Sequence, residues 1–167
     1  MSHPGPTSPS PLVRDARPAD RQVIVAHNLA LARETESKEL DPCVLTLGVE
    51  RALDEPDRLR YWVAEVDGRV VGQSAVSREW SDWRCGWIWW FQSVYVVPEA
   101  RGLGVFRALH RHIRDVARSS TEVIGLRLYV ERENHRAQST YRALGMQPGG
   151  YLVYEEFWPD RGGPPRA

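Results

Sequence analysis

The sequence predicts a single mixed α/β domain, a mixed central sheet of about six to seven strands flanked by about four helices. Three observations carry that expectation. Asp67-Gly68 separates two apolar runs, Tyr61 to Val66 and Arg69 to Ser77, as a two-residue hairpin turn does. Val94 to His110 reads as a strand, a tight polar connection and a helix. From there on strands and helices alternate, which suits a sheet with helices on both faces.

A chain of 167 residues is long enough for one domain with a full core. The expected domain spans 12–158, between a Pro- and Ser-rich tail at 1–11 and a flexible tail at 159–167. Formal charge is zero, with 22 basic against 22 acidic residues, so a general nucleic-acid binder is not expected. No apolar run is long enough to span a membrane, and the N-terminal stretch has no signal-peptide core. Cys43 and Cys85 lack metal-ligand spacing. Two free thiols in a reducing, cytoplasmic setting is the expectation, and no metal is implied.

Leu12 to Ala16 reads as a first strand. Ala19-Asp20 then offers a cap for a helix running to about Thr35 or Glu36, with Val23, Ile24, His27 and Leu31 at helical spacing. Asp41-Pro42 starts a second helix, proline being suited to the first helical position. The nearby Glu34, Glu36 and Glu39 read as a solvated acidic surface. The Asp-Gly hairpin follows. Trp87 to Val97 makes a long strand antiparallel to the hairpin's second arm. Five of the seven tryptophans fall between Trp80 and Trp90. Thr121 to Val130 is a further strand, Asn134 to Leu144 a short helix capped by Asn134 and stopped by Gly145, and Tyr151 to Trp158 a last strand.

The chemistry concentrates after the long strand. Arg101-Gly-Leu-Gly104 leads into a helix whose first N–H groups have no intrahelical acceptor. The helix dipole makes that end attractive to a phosphate or pyrophosphate, and the glycines keep the approach open. A Walker loop is excluded, since the only lysine is Lys38, and the dinucleotide fingerprint fails because Arg107 holds its third glycine position.

The stretch Val94-Tyr-Val-Val-Pro98 followed by Arg101-Gly-Leu-Gly104-Val-Phe106 resembles the acyl-CoA loop of the GNAT N-acetyltransferases, with Phe106 in place of the final small residue. A second segment resembles the family's other signature, with Asn134, Ala137, Tyr141 and Gly145 at the N-x-x-A-x-x-x-Y-x-x-x-G positions. The element order, β-α-α-β-β-β-α-β-α-β, is also similar. The resemblance implies acetyl-CoA as co-substrate. The backbone of Val94, Tyr95 and Val96 would pair with the pantetheine amides. Gly102, Gly104, Val105, Phe106 and Arg107 would present N–H groups to the pyrophosphate, with charge from Arg101 and Arg107. Asn134 would bond the pantetheine arm, and the Tyr141 hydroxyl would protonate the leaving thiolate. Where some relatives carry a glutamate base in the strand before the asparagine, this sequence has Tyr129, so a water relay or another acid is required.

The implied activity is transfer of an acetyl group to a primary amine, of a small molecule or a peptide. The alternative is a non-catalytic acyl-CoA-binding domain that senses its ligand or binds a partner. The tryptophan cluster leaves two readings open, an aromatic surface for a cationic acceptor or a contact between the copies of a homodimer.

Overall fold

The computed structural model describes residues 10–158, so most of the expected tails lies outside the described residues. Five strands form one sheet in the order β1-β2-β3-β4-β5: β1 (Leu12–Asp15), β2 (Arg60–Val66), β3 (Arg69–Ser81), β4 (Gly86–Val96) and β5 (Val123–Leu128). The first four pair antiparallel, and β5 joins β4 in parallel through the crossover helix α3 (Val105–Ser119). Helices α1 (Arg21–Glu36) and α2 (Pro42–Asp54) precede β2, and α4 (His135–Ala143) follows β5. The mixed α/β class and the four helices are as the sequence predicts.

Local signals explain most boundaries. Asp41 caps α2, its side chain accepting from the N–H groups of Cys43 and Val44. Asp20 precedes α1 but does not cap it. Its carboxylate is held by Arg14 and the Arg17 N–H instead. Asp67 and Gly68 both adopt positive φ, 51° and 75°, as a type I′ turn requires.

The sheet is covered on both faces. Ile24 of α1 and Val49 and Ala52 of α2 pack on Tyr61, Val63 and Ala75. On the other face, Val105, Leu109, Ile113 and Ala117 of α3 pack on Trp62, Val76, Trp89 and Phe91. The buried stripe of α3 thus lies one position before Phe106, which is only half-buried. Gly72 lets α3 approach: a Cβ there would sit 2.8 Å from the Val105 side chain.

One expectation fails. Tyr151 to Trp158 is not a strand; it is exposed and in no ladder of the sheet, so the sheet has five described strands rather than six or seven. The alternating sequence has the pattern of a strand, but a strand needs a ladder to satisfy its backbone. In this structure the segment joins no ladder of the sheet.

Candidate active site

The site forms where β4 and β5 part. Their last paired residues are Phe91 and Leu128, and β4 continues alone on that side from Gln92 to Val96. Within this stretch β4 carries a bulge. Between Gln73 and Ala75 β3 advances two residues, while β4 advances three between Gln92 and Tyr95. Ser93 and Val94 therefore pair in register with neither neighbour, and Ser93 has φ 50°.

A buried polar network holds the bulge. Gln73, fully buried, donates to the Asn28 side-chain oxygen at 2.8 Å and to the Ser93 carbonyl at 3.3 Å. Asn28 donates to the Tyr61 hydroxyl at 3.2 Å, and His27 Nδ1 lies 3.2 Å from Gln73 Oε1. Burial pushes the His27 pKa down, so the imidazole is neutral and Nδ1–H donates to that oxygen. Sequence reading missed the network. A serine at positive φ carries no glycine signal, and the four partners come from three separate elements.

Beyond the bulge the backbone directions alternate. The Val97 N–H donates to the Val71 carbonyl at 3.0 Å, which makes Val71 and Val97 a hydrogen-bonded pair. Gln73 and Tyr95, two residues away, are then bonded as well, and Val96 between them points away from β3 into the gap. Of the three residues expected to offer backbone groups to a ligand, Val94 lies in the bulge, Tyr95 is engaged with β3 and Val96 faces the gap.

The loop after β4 is built as the sequence suggests. A 3₁₀ turn, Pro98–Ala100, leads to Gly102 and Gly104 at φ 82° and 81°. Gly104 is the N-cap of α3, and the Ala108 N–H is the first to bond back, to the Gly104 carbonyl at 2.9 Å. The N–H groups of Gly102, Gly104, Val105, Phe106 and Arg107 have no backbone acceptor among the described residues. This is a compact anion cradle at the positive end of a four-turn helix.

Arg101 does not turn toward that cradle. Its Nε donates to the Val96 carbonyl at 2.9 Å, its guanidinium pairs with Glu34 of α1, and it lies 5.5 Å from the Tyr95 ring centre. Glu34 also accepts from the Tyr95 hydroxyl at 2.9 Å. Burial disfavours the Glu34 charge, but the bonds from Arg101 and Tyr95 outweigh it and hold the carboxyl below its ordinary range. Burial, then the Glu34 bond, pushes the Tyr95 phenol up. Glu34 is exposed, as expected of a surface acid, but it is tied to Tyr95 and Arg101 rather than solvated alone. Nothing in its local sequence marks it, because both partners lie more than sixty residues away. Arg107 is exposed, with no ion pair to a described residue.

Helix α4 brings the second set of residues. Asn134 caps it, its side-chain oxygen accepting from the Ala137 N–H at 3.0 Å, which leaves the side-chain NH₂ free to donate. Tyr141 packs against Phe106 of α3, with ring centres 5.7 Å apart and planes at 77°. Its hydroxyl has no hydrogen-bond partner among the described residues, and burial alone pushes its pKa up. Tyr129 follows the end of β5, its ring 4.4 Å from that of Trp90.

The tryptophans divide. Trp87 and Trp89 pack in the core under α3, Trp90 alternates to the opposite face of β4, and Trp80 and Trp83 lie exposed at the end of the β3–β4 hairpin. Trp90 lies in the paired part of β4, opposite Arg127 of β5. It donates to Glu79 at 2.7 Å, and Arg127 pairs with the same carboxylate at 3.1 Å. Among the described residues no group of three or more His, Cys, Asp or Glu could hold a metal ion. Among the described residues no helix is long and apolar enough to cross a membrane. Cys43 and Cys85 are free and exposed.

A mixed sheet that parts beside a glycine-lined helix start defines an acyltransferase of the acetyltransferase class. The chain belongs to the acetyltransferase (GNAT) family, whose model matches residues 26–146. It is similar to the crystal structure of a possible acetyltransferase from Clostridium difficile 630, with 42% identity and a TM-score of 0.82, covering 89% of this chain and 97% of that one. A predicted acetyltransferase from Clostridium acetobutylicum, solved with acetyl-CoA, shares the fold at 16% identity and a TM-score of 0.72, covering 88% of this chain and 96% of that one. A Bacillus subtilis (strain 168) protein named "Putative ribosomal protein bS18-alanine N-acetyltransferase" is 28% identical over 102 residues, 61% of this chain. The match spans 62% of that relative's length.

Proposed function

We propose that the protein transfers an acetyl group from acetyl-CoA to a primary amine, of a small molecule or a peptide. The observation that carries this reading is the convergence at one end of β4 of three kinds of unpaired group. These are the N–H groups of the 102–107 loop, the gap-facing N–H of Val96, whose carbonyl is held by Arg101, and the unpartnered hydroxyl of Tyr141. The pyrophosphate sits on the N–H groups of Gly102, Gly104, Val105, Phe106 and Arg107. The pantetheine arm runs along Val94 to Val96 in the manner of an added strand, and the Asn134 NH₂ donates to one of its amide carbonyls. Tyr95 serves by holding the bulge side of β4 in place rather than by bonding the ligand.

The amine nitrogen attacks the thioester carbonyl carbon. The tetrahedral intermediate collapses, the C–S bond breaks, and the departing thiolate takes the proton of Tyr141. The phenol is raised above its ordinary value of 10.0, so it holds that proton throughout the neutral range. The amine's own proton leaves through water, because Tyr129 stands where a carboxylate would act directly. Positioning and amine deprotonation then govern the rate.

The test is release of free coenzyme A from acetyl-CoA in the presence of a panel of small amines and peptide N-termini, with the acetylated product identified by mass. Acetyl-CoA should also raise the melting temperature. A melting shift without any acetylated amine would favour the acyl-CoA-binding reading, to which the missing carboxylate base lends weight.

A further inference from the structure

The buried network behind the β4 bulge runs in one direction. The neutral His27 donates from Nδ1 to Gln73 Oε1, and Gln73 Nε2 donates to Asn28 Oδ1. Asn28 Nδ2 donates to the Tyr61 hydroxyl, which donates in turn to Ser93 Oγ at 3.5 Å. The second hydrogen of Gln73 Nε2 goes to the Ser93 carbonyl. Both hydrogens of the Gln73 amide and its oxygen are therefore engaged. Turning the amide over would set its oxygen against the oxygens of Asn28 and Ser93, so its partners fix its orientation.

His27, Asn28, Tyr61 and Gln73 are all buried, where no water replaces a lost bond. Ser93 adds a second cost, since φ 50° is a conformation that L-residues avoid. Apolar side chains could fill the same interior and leave β4 straight. What the network and the strained serine fix together is one peptide, Ser93–Val94. That peptide is trans and planar, so the Val94 N–H points opposite to the Ser93 carbonyl and away from Gln73. Val94 pairs in register with neither neighbouring strand and lies beyond the last pair of β4 with β5, where the sheet is open. The cofactor arm proposed above runs from the 102–107 loop back along β4, so its far end, the thioester, reaches this bulge.

Resting on that reading, we infer that Gln73 is a positioning residue for acyl transfer. It grips the Ser93 carbonyl and so presents the Val94 N–H to the carbonyl oxygen of the thioester, where negative charge develops as the amine adds. Gln73 does not touch the substrate; it acts through one peptide bond. A donor already fixed in place needs no reorganisation when that charge forms, and a misplacement of about 1 Å can cost on the order of 100-fold in rate.

Two variants and two readouts test this on the full chain. Gln73→Met keeps the length of the side chain and removes its three bonds. Tyr61→Phe is milder, keeping the ring and removing only the hydroxyl between Asn28 and Ser93. The first readout is the infrared carbonyl stretch of isotopically labelled acetyl-CoA, bound without any amine. The second is kcat against KM. In the wild type the stretch should lie below that of free acetyl-CoA. In Gln73→Met it should move back toward the free value, and kcat should fall on the order of 10- to 100-fold with KM for acetyl-CoA nearly unchanged. Tyr61→Phe should move both readouts the same way by less, and it decides the matter by itself if Gln73→Met does not fold. A purely structural network would instead lower the melting temperature and leave the stretch and kcat of the folded variants at wild-type values, which overturns the inference. So does a wild-type stretch equal to that of free acetyl-CoA. A wild type that binds acetyl-CoA but acetylates no amine overturns the proposed activity alone, because the infrared reading needs only the bound thioester.

Discussion

The ring of Phe106 meets the ring of Tyr141 edge-on, 5.7 Å between centres and 77° between planes. This contact joins the first turn of α3, where the pyrophosphate is proposed to bind, to the helix that carries the proposed acid. It also accounts for the one departure in the loop. A small residue in place of Phe106 would leave Tyr141 without this neighbour. An edge-to-face pair contributes about 0.5–1.5 kcal/mol beyond its area burial. Tyr141→Phe keeps the ring and removes only a hydroxyl that has no described partner. Its melting temperature and coenzyme A affinity should stay near wild type while single-turnover rate falls on the order of 10- to 1,000-fold. Phe106→Ala should also slow turnover, and in the Tyr141→Phe background its effect should shrink, since both act through one proton. A stable Tyr141→Phe with full rate removes the phenol from the mechanism.

Acid should destabilise the fold through two histidines. His27 and His110 are both buried, and burial pushes each pKa below the ordinary 6.5; for His110 the neighbouring Arg114 adds to the shift. Both are therefore neutral in the fold, while the unfolded chain takes up protons as pH falls below 6.5. Stability is fully present above that pH and declines as pH drops toward the folded values. His110 stacks on Phe91 with ring centres 5.5 Å apart, and its Nε2 is buried without a partner. His110→Phe should preserve the stacking, remove the orphan nitrogen, and flatten the acid side of a melting temperature against pH profile. An unchanged acid slope would assign the sensitivity elsewhere.

The parts of the fold that were legible in the sequence are those fixed by local chemistry. Asp41-Pro42, Asp67-Gly68 and the two loop glycines each require one backbone geometry, and each adopts it. Asn134 caps α4 for the same reason. What could not be read depends on partners distant in the chain. Glu34 looks like a surface acid until β4 folds against α1 and brings Tyr95 and Arg101 to it. The Ser93 bulge is held by Gln73, itself bonded to Asn28, reaching the Ser93 carbonyl across the sheet. Tyr151–Trp158 has the right alternation for a strand, and alternation specifies a face without supplying an edge.

Gly104 should be intolerant of substitution for a reason distinct from crowding. A Cβ there meets nothing within 4 Å, so a side chain would project into open space beside the unpaired N–H groups. Its φ of 81° is in the left-handed region, which costs other residues roughly 1–2 kcal/mol. Gly104→Ala should therefore fold with a modest loss of melting temperature. Gly104→Glu should fold similarly but lose the stabilisation by acetyl-CoA, because it sets bulk and negative charge where the pyrophosphate is proposed to bind. Calorimetric melting with and without ligand separates the two effects, and normal acetyl-CoA stabilisation of the Glu variant would displace the anion site from this loop.

Arg101 and Arg107 stand six positions apart and should behave differently toward the cofactor. Arg101 spends its donors within the protein, on the Val96 carbonyl and on Glu34. Removing it should disturb the end of β4, where the pantetheine arm is proposed to run, and leave a phosphate-specific term untouched. Arg101→Ala should then weaken coenzyme A and pantetheine by similar factors, and Glu34→Gln should reproduce part of that loss. Arg107 is exposed at the first turn of α3 with no ion pair to a described residue, so its charge is available to an anion at the helix start. A charge-assisted bond to phosphate contributes about 1.5–3 kcal/mol, or roughly 10- to 150-fold in affinity. Arg107→Ala should weaken coenzyme A by a factor toward the lower end of that range and leave pantetheine, which lacks the pyrophosphate, nearly unchanged. Titration calorimetry with both ligands on both variants decides the matter. Equal losses of the two ligands on Arg107→Ala would make that arginine structural, and a coenzyme-specific loss on Arg101→Ala would mean that its bond to Val96 gives way when the cofactor binds.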